Sequence, residues 1–291
     1  MLFSRKLCLT NKKRNILIGF SFLSPWLIGF LAFTLYPLIY SVILSVCDLN
    51  LELKGINFSF SGLKFYRRAL QEDTKFTVYL LETVGFIAYA TPIIIVVALI
   101  LALMLNGKYK GRALFRSIFF MPVVIMSGPV ISELLGKYSV DFSEESPGLF
   151  VFLDSLPEVL RNPGIFVLQN LVTVLWYSGV QILILLISLQ RISPDLYEAA
   201  SIDGAGGWEK FWKITLPYII PTALICALYT VVELANDPTN SVNIYIETML
   251  TDLQGYYSFS TAMSWIYTVA VALMLLIIYA VFVFFGRKER R

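Results

Sequence analysis

The sequence predicts an all-α membrane protein of six transmembrane helices, on three observations. Its 291 residues are 57% hydrophobic and 15% charged, above the roughly 45–50% apolar content of soluble domains. Several runs reach the roughly 20 helical residues that cross a hydrocarbon core of about 30 Å. Basic residues collect in alternate connections between those runs. Helices are the expected form, because every backbone N–H and C=O in lipid must be satisfied internally.

The spans fall at about 16–46, 76–105, 113–136, 166–189, 218–235 and 263–285. The first follows Arg5, Lys6, Lys12, Lys13 and Arg14, and its apolar run extends well beyond the roughly 7–15 residues of a cleavable signal, so an uncleaved span is expected. Pro25 and Pro37 predict that this helix kinks, or breaks into a membrane part and an outer extension. "GKYKGR" joins the second and third spans tightly. "DFSEESPG" begins the connection to the fourth, whose second half, "LFVFLDSLPEVL", suits a short surface helix. The chain thus divides into a segment 1–15, a transmembrane domain 16–285 with a loop at 190–217, and a basic tail 286–291.

Charge orients the bundle, since basic residues favour cytoplasmic connections. With the N-terminus inside, sixteen of the 23 Lys and Arg residues fall on the cytoplasmic side: five before span one, Lys108, Lys110, Arg112 and Arg116 after span two, Arg191, Lys210 and Lys213 after span four, and Arg287, Lys288, Arg290 and Arg291 at the end. Both termini and the 190–217 loop are therefore expected in the cytoplasm. The segments 47–75 and 137–165 face out.

That loop reads as two helices. Ser193-Pro194-Asp195 is a helix start, with serine as N-cap, proline where a missing N–H costs nothing, and an acid against the helix dipole. The helix is expected to run to about Asp203, with Gly204 as its left-handed terminator and Gly206 and Gly207 extending the turn. A second short helix spans about Trp208 to Thr215, and Pro217 leads into span five. Leu196, Ala199 and Ala200 share one face of the first helix. Trp208, Phe211, Trp212 and Thr215 form a stripe on the second, opposite Glu209, Lys210 and Lys213, suited to a lipid interface or to the underside of the bundle. A rigid helix–turn–helix with a small-residue face calls for a protein partner.

Composition narrows the chemistry. Histidine is absent, which removes the commonest general base and metal ligand. Cys8, Cys47 and Cys226 form no CxxC pair, so no metal site or disulfide framework is implied. The net charge of +3 leaves no nucleic-acid footprint. Catalysis by this chain is not expected.

The spacing E-A-A, three residues, G, nine residues, I-x-L-P is met by Glu198, Ala199, Ala200, Gly204, Ile214, Leu216 and Pro217. It resembles the signature loop of permease subunits of binding-protein-dependent ABC importers. "LSPWLIGFLAFTLYPLIYSVILS", "GRALFRSIFFMP", "PDLYEAASIDGAGGWEKFWKITLPYIIPT" and "FSTAMSWIY" are similar to the sugar-uptake branch of that family, the maltose- and glycerol-3-phosphate-type permeases. The resemblance implies a type I importer bundle in a bacterial plasma membrane, with the first loop helix as a coupling helix. Glu198 would lie at the docking surface, Ala199 and Ala200 would enter a cleft of a separate ATPase subunit, and Asp203, Gly204, Ile214, Leu216 and Pro217 would complete the coupling loop. It also implies a second permease subunit, often a different chain, two ATP-binding subunits, an extracellular or periplasmic solute-binding protein, and a carbohydrate cargo. The chain has no GxxxxGK[ST] phosphate loop, so ATP and Mg are expected on the partner and no cofactor on this chain. The 137–165 connection is longer and more acidic than the family pattern, and the segment after span five lacks the family's glycine-rich loop.

Ionisable groups inside spans default to functional hypotheses. Glu82 and Glu133 lie near outer span ends, where a solvated interfacial carboxylate is the alternative. Glu233 is a candidate for the solute path, with Asn236 one turn away. Asn170, Thr173, Tyr177 and Gln181 recur at three- and four-residue steps on span four, either as interhelical hydrogen-bonding groups or as the wall of a path. Trp176, Tyr229, Trp265 and Tyr267 offer sugar stacking or ordinary packing. Two rivals stand beside the importer: a secondary transporter, which should show internal repeats and mid-membrane ion carboxylates, and a membrane scaffold with no transport role. Within the importer reading, glycerol 3-phosphate is an alternative cargo.

Overall fold

The computed structural model describes residues 11–52, 55–107, 157–251 and 257–288. The expected third span at 113–136, Glu133, the acidic connection from Asp141 to residue 156 and the last three tail residues lie outside the described residues. Five helical segments among those described are long and apolar enough to cross a membrane: Gly19–Val46, Thr74–Asn106, Thr173–Gln190, Gly207–Ala235 and Tyr257–Phe284. Each corresponds to one of the other five expected spans.

The chain forms two compact units. The first comprises Met1–Asp73 and Thr248–Trp265. Here α1 (Asn11–Phe30) and α2 (Tyr36–Val46) are joined by a π-turn, Leu31–Leu35. An antiparallel hairpin of β1 (Cys47–Glu52) and β2 (Gly55–Phe60) follows, an element that the helical reading did not include. The short α3 (Lys64–Arg67) comes next and runs into a second π-turn, Arg68–Glu72. Tyr66 donates to Ser45 Oγ at 2.8 Å and the Ser61 amide donates to the Val46 carbonyl at 3.0 Å. The beginning of the last helix joins this unit: Ser258 Oγ accepts from the Leu49 amide at 3.1 Å, and Phe259 packs on Phe65 under the Arg68 guanidinium.

The second unit comprises Thr74–Glu247 and Ile266–Arg291. It is built from α4 (Thr74–Asn106), α5 (Glu158–Gln169), α6 (Leu171–Gln190), α7 (Pro194–Ile202), α8 (Gly207–Lys210) and α9 (Leu216–Ala235). Most of α10 (Ser241–Thr251) and of α11 (Tyr257–Lys288) also belong to it. α6 packs on both α4 and α9. Their shared core holds Ala98, Ala102 and Leu105 from α4, Ile182, Leu185 and Leu189 from α6, and Ile219 and Cys226 from α9. Ala98 and Ala102, four residues apart and fully buried, form a small-xxx-small face that lets backbones approach closely. Ser188 and Thr222 hydroxyls meet across α6 and α9 at 2.9 Å, a bond worth about 0.6 kcal/mol between membrane helices.

Two differences from the sequence reading share a cause. Span one does not break at Pro37; the π-turn Leu31–Leu35 precedes it, closed by the Tyr36 amide on the Leu31 carbonyl. Likewise the second loop helix does not end before Pro217. It continues through a π-turn, Phe211–Thr215, closed by the Leu216 amide on the Phe211 carbonyl, into α9. A proline ring clashes with the carbonyl four residues earlier; a widened i→i+5 turn two residues upstream makes room for it and keeps the helix continuous. In span four, a turn at Asn170 separates α5 from α6, and the Asn170 side chain donates to the Phe166 carbonyl at 3.0 Å.

Candidate functional site

Two constructions within the second unit occupy opposite ends of α6 and α9. At the end where α6 finishes, the 190–217 loop forms the expected helix–turn–helix. Ser193 caps α7, its Oγ accepting from the Asp195 amide at 3.3 Å, with Pro194 in the first turn. The helix terminates at Ile202, with Asp203 as C-cap and Gly204 at φ +81°. That left-handed conformation is open to glycine at no steric cost. The Ala205 amide reaches back to the Ala200 carbonyl at 2.8 Å, satisfying an end-of-helix acceptor. Gly206 is then the N-cap of α8, its amide held by the Glu209 carboxylate at 3.1 Å, and Gly207 is already helical where the sequence suggested turn.

Cross-links fix the two loop helices to each other and to the bundle. Tyr197 and Thr215 hydroxyls meet at 2.8 Å, and Lys210 Nζ donates to Ser201 Oγ at 2.6 Å. Tyr197, Ile214 and Leu216 pack on the α4–α6–α9 core, beside the buried Ile192. The opposite side is open: Leu196, Glu198, Ala199, Ile202, Asp203 and Gly204 are exposed, Ile202 at 87%, and Ala200 is half-buried. The eight residues that the resemblance assigned to coupling therefore divide among different structural places. Glu198, Ala199 and Asp203 are exposed with Ala200 half-buried beside them, Gly204 makes the turn, Ile214 and Leu216 anchor the loop on the core, and Pro217 stands in the first turn of α9. Trp208 and Trp212 are exposed and form one aromatic cluster with Phe211, Trp208 stacked on Phe211 and Trp212 edge-on to both, with ring centroids 5.5 to 6.3 Å apart.

At the other end lies a cavity of about 570 Å³ lined by residues from α4, from the start of α6 and from the turn after α9, within the roughly 300–1,000 Å³ typical of ligand sites. Asn170 and Thr173 line it, with Glu82 and Thr83 from α4 and Asp237, Thr239, Asn240 and Ser241 from the turn. Tyr177 donates to Asp237 Oδ2 at 2.6 Å. Asp237 Oδ1 accepts from the Thr239 amide at 2.8 Å and from its hydroxyl at 2.7 Å, an Asx-turn that shapes the wall. Asn240 accepts from Thr83 at 3.0 Å and from the Val242 amide at 2.9 Å, and donates to Tyr267 Oη at 2.9 Å. Tyr267 in turn donates to the Ala235 carbonyl at 2.9 Å, which closes the end of α9.

Below the lining, Gln181 is fully buried and its Nε2 donates to Thr230 Oγ1 at 2.8 Å and to Glu233 Oε2 at 3.2 Å. The Gln181 Oε1 has no partner among the described residues. Of the six residues named for a solute path, Asn170 and Thr173 thus border the cavity, Tyr177 braces its wall, and Gln181 and Glu233 are joined to each other behind it. Asn236 is apart: it is exposed and its amide turns back to the Val232 carbonyl at 2.8 Å, because α9 ends there. Glu82 is exposed at the cavity mouth. Trp176 is half-buried, Tyr229 is exposed, and Tyr267 is committed to hydrogen bonding. Sequence reasoning missed Thr83, Thr230, Asp237 and Asn240. The one available signal was the Asn-Asp-Pro-Thr-Asn turn after α9, whose side chains favour local backbone bonds.

Comparison with known proteins matches residues 74–291 to a family described as "Binding-protein-dependent transport system inner membrane component". A probable ABC transporter permease protein, YesP of Bacillus subtilis, is 27% identical over 92% of this chain and 91% of its own. The lactose transport system permease protein LacF of Rhizobium radiobacter is 28% identical over 94% and 95%. The multiple sugar-binding transport system permease protein MsmF of Streptococcus mutans is 31% identical over 73% and 72%. In fold, the chain is similar to a chain of a bacterial alginate ABC transporter in complex with an alginate pentasaccharide-bound periplasmic protein, with TM-score 0.64, 22% identity, and coverage of 91% of this chain and 93% of that one.

Proposed function

The chain belongs to the family of binding-protein-dependent transport system inner membrane components, and from that premise we propose that it is a permease subunit of an ATP-driven importer whose cargo is a carbohydrate. It is a multi-pass membrane protein; the basic-residue distribution supports cytoplasmic termini and a cytoplasmic 190–217 loop. A second permease chain completes the path, two ATPase subunits supply the work, and an external solute-binding protein delivers the cargo. ATP and Mg belong to the ATPase partner, since the sequence of this chain has no phosphate-binding loop.

One observation supports the reading most strongly. α7 exposes Leu196, Glu198, Ala199 and Ile202 while Tyr197 on the same helix is locked to Thr215, at the root of span five. A partner that grips the outer face and moves it pulls on α9 directly, so closure of an ATPase pair is converted into a rigid-body shift of the bundle. Carbohydrate as cargo is supported by the lactose and multiple-sugar permeases among the relatives and by the hydroxyl- and amide-rich cavity wall.

The test is co-purification of the unmutated chain and of Glu198→Arg with Gly204→Pro. The ATPase subunit should accompany the former and be lost from the latter. An ATPase that never co-purifies, or that stays bound and coupled after both changes, overturns the coupling role.

A further inference from the structure

The described lining of the cavity, at the ends of α6 and α9 remote from the 190–217 loop, has a sign of charge. Its described lining contains two carboxylates, Glu82 and Asp237, and no lysine or arginine. The remaining polar wall is neutral: Thr83, Asn170, Thr173, Thr239, Asn240 and Ser241. Among the described residues the Asp237 carboxylate accepts from neutral donors, the Tyr177 hydroxyl and the amide and hydroxyl of Thr239. Those bonds hold the carboxylate in place without cancelling its charge. The chain contains no histidine that could add a positive charge on acidification. The basic residues after span four, Arg191, Lys210 and Lys213, lie at the other end of α6 and α9.

From this geometry we infer that the cavity selects its carbohydrate by charge: it accepts neutral or amino-bearing sugars and rejects those carrying carboxylates, with Glu82 and Asp237 as the discriminating residues. The inference rests on the carbohydrate reading above and adds the charge class to it. Neutral hydroxyl and amide groups pair with sugar hydroxyls in either direction, because both partners donate and accept. A uronate brought against the two carboxylates meets like-charge repulsion, which solvent screens least at the half-buried Asp237. Glu82 stands at the exposed mouth and Asp237 is half-buried in the wall, so an anionic sugar is opposed first on approach and again when seated.

The experiment uses the complete permease–ATPase complex in nanodiscs and three disaccharides of one linkage: neutral, uronate-bearing and amino-bearing. Ligand-detected NMR reads their affinities on the wild type, on Glu82→Gln and on Asp237→Asn. The wild type should bind the neutral and amino forms at least roughly tenfold more tightly than the uronate, since like-charge juxtaposition is worth that much or more. Each substitution should narrow the ratio by roughly threefold or more. Because Asp237 also organises its turn, Glu82→Gln, at an exposed position, carries the test if Asp237→Asn does not assemble. A uronate bound as tightly as the neutral sugar, or a ratio that neither substitution moves, overturns the charge selection and leaves the carbohydrate reading standing. If none of the three sugars binds the wild-type complex, the carbohydrate reading falls, and the charge selection with it.

Discussion

The two ends of α6 and α9 are built by different kinds of interaction. At the loop end, most bonds are close in sequence: Ser193 to Asp195, Ala205 to Ala200, Gly206 to Glu209, with Tyr197 to Thr215 spanning 18 residues and Tyr218 to Arg191 spanning 27. At the cavity end the local Asx-turn at Asp237 is joined by remote bonds: Gln181 to Thr230, Tyr177 to Asp237, Thr83 to Asn240, with separations of 49, 60 and 157 residues. A locally built surface keeps its shape when the bundle around it shifts. A cavity whose walls come from three separate segments changes shape when those segments move. The contrast suits a transporter in which one end receives work and the other opens and closes around a solute.

This contrast can be broken. Gly204→Pro should have the largest effect, because proline fixes φ near −65° where the loop needs +81°. Solute uptake into proteoliposomes should fall at least roughly a hundredfold, while sugar binding by the same complex persists, since the distorted turn lies at the far end of α9. Loss of binding together with uptake would show the two ends to be one cooperative structure.

Tyr177→Phe probes the other end. It removes the 2.6 Å bond to Asp237, and bonds to charged groups are worth about 1.5–3 kcal/mol, so sugar affinity should drop roughly tenfold or more. ATPase co-purification should be unchanged; a loss of the ATPase would contradict the separation of tasks.

A double-mutant cycle on Tyr197→Phe and Thr215→Val sharpens the comparison further. Each change alone should cost about 1 kcal/mol in thermal or denaturant unfolding, and the pair should show a coupling of about 0.5–1.5 kcal/mol. Zero coupling would mean that α7 is not strapped to α9 through this bond.

The smallest effects are expected where the structure shows least. Ser193→Ala should cost about 0.5 kcal/mol, at the low end for an N-cap, because the capping bond is 3.3 Å long. Asn236→Ala should leave uptake within about twofold of the wild type, since among the described residues its side chain bonds its own helix.

Legibility followed the range of the interactions. The caps of α7, the left-handed Gly204 and the five spans within the described residues could be read from spacing, because each depends on residues within a turn or on a long apolar run. The polar face of α6 was also visible, from Asn170, Thr173, Tyr177 and Gln181 at helical steps. Its partners were not, since nothing in the order of residues ties Tyr177 to Asp237 or Thr83 to Asn240. The π-turns before Pro37 and Pro217 were missed for another reason: a proline announces that the ordinary helix fails, but not whether the chain breaks or widens by one residue.

Composition, apolar run length, basic-residue placement and helix-end chemistry were set by the sequence alone, because each is a property of a short stretch of chain against lipid or water. The tertiary structure decided which side of the loop is buried and which of its signature residues anchor rather than present. It also decided which polar groups surround a common space. Those outcomes depend on α4, α6 and α9 packing through Ala98, Ala102 and the surrounding core, and packing is settled by all three helices together.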